Sequence, residues 1–463
     1  MSPAPLPTPA PVAISAEARL AYVLRHFYLA YPGAPAVAIG YDDTQPQVEI
    51  AELSEDFFAD NEPYPRAPNW RDWQGQQMPF FFDQPEKPLL ALQENKAIIS
   101  ADIISAAFYL LSGWQEYFSN GRDRHGRFPY TASVQKKYGF VALPVVNYYF
   151  EVLRTAVEHV SGQQLQPRCW GSQRANFAAF ISHDIDNLYS AWKAPAKAAL
   201  QQRKFGRFGQ LLWQHLTQPD AWDNLEAVAA AVAQYGAQST FFILPAHQKS
   251  LNGTPNADYR LTRRLLRRLA RLAAQGYELG IHAPLDTNGV GPYAMVAKAL
   301  PFEAEGCRFH YLSWEPRITP TMVMGSPVGA IDKFRYDSTL GFAEHFGFRN
   351  SYCLPFYPFD FSNKRAADFL EIPLNVMDAT LHHPNYLQLA SAEILPALAP
   401  VFAEIKRFGG VASVLWHNEN FDSANTTTGP QQFHEIMAHL QQQGAAFLTG
   451  REVWQEFTAE PNS

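Results

Sequence analysis

The stretch FAAFISHDIDNLYSAW, residues 177 to 192, sets three ionisable side chains, His183, Asp184 and Asp186, at the end of a mostly apolar run. In an extended strand residues two apart share a face, so Asp184 and Asp186 point one way and His183 the other. Two neighbouring carboxylates leaving water cannot both stay ionised without a counter-charge. A divalent cation on one of them relieves the conflict and leaves the other free as a base. A second constellation is YELGIHAPLDTN, where a strand ends at Ile281 and His282 and Asp286 follow at i and i+4. That spacing brings both to one side of a helical turn and suits a pair of metal ligands. Asp286 reads equally well as a turn residue with Thr287 and Asn288. EGCRFHYLSW adds Arg308 and His310, and VASVLWHNENF ends a strand with His417, Asn418 and Glu419.

These residues need a scaffold that delivers strand ends to one place. From FAAFIS onward, strand-like runs alternate with helical ones: a helical region near Leu225 to Gln234, STFFILP, the helix LTRRLLRRLARLAAQ, YELGIHA, LEIPLNV and GGVASVLWHN. Alternation of this kind predicts an α/β fold with a mostly parallel sheet or barrel wrapped by helices, with function at the C-terminal strand ends. HDID, HAPLD and LWHNEN all fall there. On the Arg-rich helix, Leu261, Leu265, Leu266, Leu269 and Leu272 form an apolar stripe, so Arg263, Arg264, Arg267, Arg268 and Arg271 read as a solvated outer face rather than a nucleic-acid surface.

Upstream, DIISAAFYLLSGWQEYF from Asp102 and PVVNYYFEVLRTAVEHV from Pro144 have helical spacing, separated by the polar, turn-rich NGRDRHGRFPYT. In that loop Arg122, Arg124 and Arg127 could meet a substrate, although salt bridges at a domain interface are the more ordinary use. SGQQLQPRCWGSQRA looks like a boundary. The expected organisation is a disordered Pro/Ala-rich tail over 1–14, an N-terminal α+β domain over 15–165, and the α/β domain over 172–458.

The 463 residues are 47% hydrophobic and 17% charged with 35 prolines, a globular composition with many ordered loops. A net charge of −7 and a pI near 6.1 supply no basic field for nucleic acid or an anionic membrane. No apolar run is long enough to span a bilayer and no signal peptide pattern opens the chain, which predicts a cytoplasmic protein. Cys169, Cys307 and Cys353 are too few and too scattered for a disulfide framework or a CxxC zinc site.

Asp-x-Asp at a strand end, STFF on the next strand, E-x-G-x-H, an Arg, and L-x-H near the C-terminus, in that order, resemble the polysaccharide deacetylase family, the NodB-like carbohydrate esterases. YDSTLGFAEHFGFRN, LEIPLNVMDATL, FYLLSGWQEYF and DRHGRFP further resemble a bacterial branch carrying an extra N-terminal domain. The resemblance covers roughly residues 90 to 455 and implies a distorted (β/α) barrel. It implies Asp184 as general base, Asp186 and His282 as metal ligands, Arg308 as the arginine that orients the base, and His417 as general acid. Asp286 stands where most of the family has a second metal histidine. His183 and His310 are candidates for a replacement ligand, or with Asn418 for substrate binding. The cofactor implied is a divalent metal, zinc first, with manganese, cobalt or nickel as alternatives. The activity implied is removal of an acyl group, N-acetyl above all, from a carbohydrate substrate. A catalytically silent sugar-binding or scaffold protein, or a hydrolase of a non-sugar amide or cyclic imide, would carry the same pattern.

Overall fold

The longest strand, β1 (Ala178–Ile185), is buried along its whole length, as a strand covered on both faces must be. Seven more follow: β2 (Thr240–Ile243), β3 (Glu278–Ala283), β4 (Gly306–Phe309), β5 (Tyr336–Asp337), β6 (Leu370–Glu371), β7 (Val376–Met377) and β8 (Val411–Leu415). The computed structural model describes residues 9, 11–42, 45–250, 253–284, 303–324, 334–425 and 427–459. These strands pair in the order β6-β5-β4-β3-β2-β1-β8-β7, every pairing parallel. A ninth strand, β9 (Ala446–Leu448), adds to the start of β1.

Connectivity forces this sheet to curl. Eight strands spaced about 4.8 Å apart would make a flat sheet about 34 Å wide. Its two edge strands, β6 and β7, are consecutive in the chain, and the five steps from Glu371 to Val376 reach at most about 18 Å. The edges must therefore approach each other, which closes the sheet into a distorted barrel with strand ends gathered at one rim. LEIPLNV, which the sequence predicts as one strand, is thus two short ones on opposite edges. Pro373, lacking a backbone N–H, sits at the crossing between them.

Helices cover the outside, including Leu225–Ala233, Arg263–Ala274, Ser391–Arg407 and Pro430–Gln442. The helix Arg263–Ala274 buries Leu265, Leu269 and Leu272 as its apolar stripe requires. One correction applies to its charged face: Arg268 is buried rather than solvated, pairing with Asp223 and Glu226. Among the described residues no helix is long and apolar enough to cross a membrane.

The N-terminal region is α+β: helix Ala16–Ala30, a small mixed sheet, a hairpin at Asn69–Trp73 and Gln76–Phe80, and helix Val145–Ser161. The run from Asp102 forms two helices, Ile103–Leu111 and Trp114–Phe118, rather than one. Gly113 lies between them at φ 71°, a left-handed conformation that suits glycine and ends the first helix. Residues 1–8 and 10 of the predicted tail lie outside the described residues. Its end is ordered, because Val12 and Ile14 are buried and the Val12 N–H donates to Asn61 Oδ1 at 2.7 Å.

This region and the barrel share one apolar core, in which Phe27, Phe108 and Trp114 join Phe359 and Phe361. Buried polar contacts cross the same boundary. The guanidinium of Arg349 donates from Nε and Nη2 to both oxygens of Glu116, at 2.8 and 2.6 Å, with the two side chains 1% and 3% exposed. Removing one member of a buried pair strands the other charge, typically costing about 3–5 kcal/mol. Glu116→Ala is therefore expected to destabilise the whole chain by that amount, read as a lowered midpoint in urea. An unchanged midpoint would show that the two regions are not energetically joined there.

Candidate metal and acid–base site

The strand ends converge on a cleft of about 380 Å³ at the C-terminal rim. Asp184, Asp186, His282, His310 and His417 all line it. The two-residue period of β1, continued one residue past its end, turns Asp184 and Asp186 toward the cleft. Asp184 Oδ1 accepts from Arg308 Nη1 at 3.0 Å. Arg308, on β4 and fully buried, also donates to Ser182 Oγ at 2.8 Å, Ser338 O at 2.7 Å and Ser338 Oγ at 2.9 Å. A guanidinium held on four sides fixes the carboxylate it faces.

Asp186 is less enclosed, its side chain 19% exposed and open to the cleft. Its Oδ1 lies 3.2 Å from His282 Nε2 and its Oδ2 lies 3.4 Å from His310 Nε2. One ligand atom from each of Asp186, His282 and His310 falls within 4.8 Å of the others. Both imidazoles are braced from behind: His282 Nδ1 is 2.9 Å from Arg308 O, and His310 Nδ1 is 3.4 Å from Asn256 Oδ1. A ring that donates from Nδ1 presents an Nε2 lone pair, the tautomer a metal requires. Asp186 Oδ1 is buried with no well-formed hydrogen bond, which leaves a buried carboxylate oxygen wanting a partner. One carboxylate and two imidazoles with an orphaned oxygen fit a divalent cation of the zinc type.

β3 explains the E-x-G-x-H spacing. Glu278 anchors the strand's base, accepting from Thr240 Oγ1 at 2.7 Å and Tyr336 OH at 2.9 Å. At Gly280 a Cβ would meet the Phe242 ring at 2.6 Å, so only glycine lets that ring lie there. Phe242 in turn lies under Arg308, 4.5 Å from its guanidinium carbon. His282 then emerges at the rim, opposite Arg308 in register.

His310 is placed differently, by a strained turn. Tyr311 and Leu312 both take left-handed φ values, 58° and 54°, a conformation that costs a non-glycine residue about 1–3 kcal/mol. The N-terminal region holds the turn: Arg127 Nη1 donates to Tyr311 O at 2.7 Å, and the His125 ring stacks on Tyr311 at 4.7 Å. Tyr311 stacks on His310 at 4.0 Å.

Across the cleft, His417 follows β8, and its Nδ1 is 2.7 Å from Oδ1 of the buried Asp378. The same carboxylate accepts from the His417 backbone N–H and from Asn420 Nδ2, both at 2.6 Å. Burial disfavours a charged imidazole here, but Asp378, with Asp186 and Asp184 beyond it, outweighs burial and raises the His417 pKa to about 10. The ring is a reservoir for one proton at neutral pH. Burial raises the neighbouring Glu419 to about 7, opposed by its hydrogen bond from Asn187 and by the charge of His417.

Two residues expected at the substrate are elsewhere. His183 faces the opposite side of β1, fully buried against Phe241, Phe421 and Phe433, with Nδ1 2.7 Å from Trp416 O. Asn418 is buried as a loop tie, donating to Asn187 O and Trp222 O at 2.9 Å. Neither lines the cleft: alternation along β1 turns His183 away from Asp184, while Asn418 opens the short 3-10 turn Asn418–Phe421 and its side chain ties neighbouring loops together. Asp286 lies outside the described residues. Asp378, buried behind His417, and Glu419, which lines the cleft, are residues to which the sequence assigned no role; the one available signal was that both follow apolar strand-like runs. Arg122 takes its interface role, donating to Glu315 Oε2 at 2.7 Å.

Residues 17–161 match a family described as "Family of unknown function (DUF7033)". No curated protein matches the chain. Among solved structures, the chain is similar to a "putative polysaccharide deacetylase" from Mycobacterium smegmatis, at 12% identity and a TM-score of 0.38 over 62% of this chain and 92% of that one. It is also similar to "Puue Allantoinase", at 10% identity and 0.40 over 63% and 94%, and to a "probable Polysaccharide deacetylase" from Pseudomonas aeruginosa PAO1, at 10% and 0.39 over 62% and 93%.

Proposed function

We propose that this protein is a metal-dependent hydrolase that removes an acyl group, N-acetyl above all, from an amino sugar or a polysaccharide precursor. The observation that carries the reading is one cleft in which Asp186, His282 and His310 bring one ligand atom each within 4.8 Å of the others, with Asp184 clamped by Arg308 on one side and His417 hydrogen-bonded to Asp378 on the other. Asp186, His282 and His310 would hold the cation, with His310 standing beside the Asp186 and His282 of the sequence motif. When bound there, zinc or a similar ion supplies a Lewis acid for an acyl carbonyl and acidifies water. Asp184, fixed by Arg308, accepts the proton of the attacking water. His417, its Nδ1 held by Asp378, gives its Nε2 proton to the departing amine, so that the leaving group departs neutral.

Mass spectrometry of the native protein is expected to find near-stoichiometric divalent metal. Asp186→Ala, His282→Ala and His310→Ala should each lose it, and Asp286→Ala in the same series reports whether that residue adds a ligand. Acetate release from a panel of N-acetylated sugars then tests the reaction. Absence of metal after reconstitution with zinc, cobalt, manganese and nickel would overturn the mechanism and favour a silent sugar-binding protein.

A further inference from the structure

The outer walls of the cleft differ in charge from its floor. Among the described residues the carboxylates that line it are Asp184, Asp186 and Glu419, at or just beyond strand ends. One wall is the loop Gly121–Phe128 of the N-terminal region, contributing Arg124, His125 and Arg127. The other is the end of helix Asp378–His382 and the segment after it, contributing His382, His383 and Tyr386.

The three arginines of the loop have different fates. Arg122 is saturated by Glu315 and by the carbonyls of Glu116, Ser119 and Gly121. Arg127 is paired with Asp123 and bonded to Tyr311 O. Arg124 is exposed, and among the described residues its hydrogen bond is from Nε to the His125 ring, 3.0 Å to Nε2. Since Nε2 accepts that bond, the neutral ring carries its proton on Nδ1, which is buried without a partner. A guanidinium with most of its fork unused, on a loop whose described cleft-lining residues are Arg124, His125 and Arg127 and whose one carboxylate, Asp123, is taken up by Arg127, is suited to a planar or tetrahedral oxyanion.

We propose that Arg124 marks an anion subsite, so that the substrate carries a phosphate or carboxylate on the part lying away from Asp186. This rests on the hydrolase reading for what is cleaved, but not for what is bound. It also gives the N-terminal region a share in selecting the substrate.

The test separates binding from turnover. Calorimetric titrations of the full chain with glucose, glucose 6-phosphate and glucuronate compare a neutral sugar with its phosphate and carboxylate counterparts. At least one anionic sugar is expected to bind tenfold or more tighter than glucose, and which one does so identifies the anion. Arg124→Ala should erase the preference, Arg124→Lys should keep part of it, and Arg124→Glu should reverse it. Equal binding of all three sugars, or a preference that survives in Arg124→Ala, would overturn the subsite. Failure of every N-acetyl sugar to release acetate, with the Arg124-dependent preference intact, would overturn the hydrolase and leave the subsite standing.

Discussion

Asp184→Asn is expected to lower the rate of acyl release by about 10³-fold, the middle of the range for a positioned general base. Asparagine keeps the shape of the side chain and an acceptor for Arg308 Nη1, which now stands 3.0 Å from Asp184 Oδ1. What it removes is the ability to take a proton. Its effect should fall on kcat, with KM nearly unchanged, because a base acts in the transition state rather than on bound substrate. Stability should fall too, since Arg308 would be a fully buried cation without its counter-charge. Removing one partner of such a pair costs about 3–5 kcal/mol, and the retained hydrogen bonds to Ser182 and Ser338 place this variant at the lower end. Metal content decides the interpretation. If Asp184→Asn loses metal along with activity, Asp184 is a ligand, which its Oδ2 at 3.6 Å from His282 Nε2 would permit. If metal stays and more than a tenth of the activity remains, Asp184 is not the base.

How much of this was legible in the sequence follows from the kind of constraint each residue obeys. Asp184, Asp186, His282 and His417 could be found because strand alternation and the strand-end rule are local, periodic and strong. The position of Arg308 behind Asp184 needed the order of strands, which the family resemblance supplied and the spacing did not. His310 could be only one candidate among several, because it reaches Asp186 through the left-handed turn at Tyr311 and Leu312. Neither tyrosine nor leucine announces positive φ, and the contact from Arg127 that holds the turn comes 184 positions earlier in the chain. The direction of His183 was legible from the same alternation, but its use was not: a buried ring bonded to Trp416 O is a packing residue. LEIPLNV hid a barrel closure, since a Pro-interrupted apolar run looks alike whether its halves pair with one neighbour or with opposite edges of a sheet.

Asp378 was the least legible, and its replacement carries the second large expected effect. Asp378→Asn should reduce turnover by about 10²-fold or more, because it alters the proton held by His417 without touching the His417 side chain. The native carboxylate accepts from His417 Nδ1 and from the His417 backbone N–H, so it sets both the tautomer and the angle of the ring. An asparagine there can turn its NH₂ toward Nδ1, which would move the ring proton to Nε2 in the neutral state and deprive the imidazolium of its main support. Burial already presses the His417 pKa down, and Asp378 is the largest influence raising it. With Asp378 neutral, burial wins more of that contest and His417 gives up its proton at lower pH. An acid must be protonated to work, so activity is lost as pH rises through its pKa. The alkaline limb of the pH–rate profile should therefore move to lower pH in Asp378→Asn. A purely structural role would lower activity uniformly and leave the limb where it was. An unmoved limb with normal metal content would remove His417 from the acid's role and turn attention to Glu419, which lines the same cleft and whose pKa burial raises to about 7.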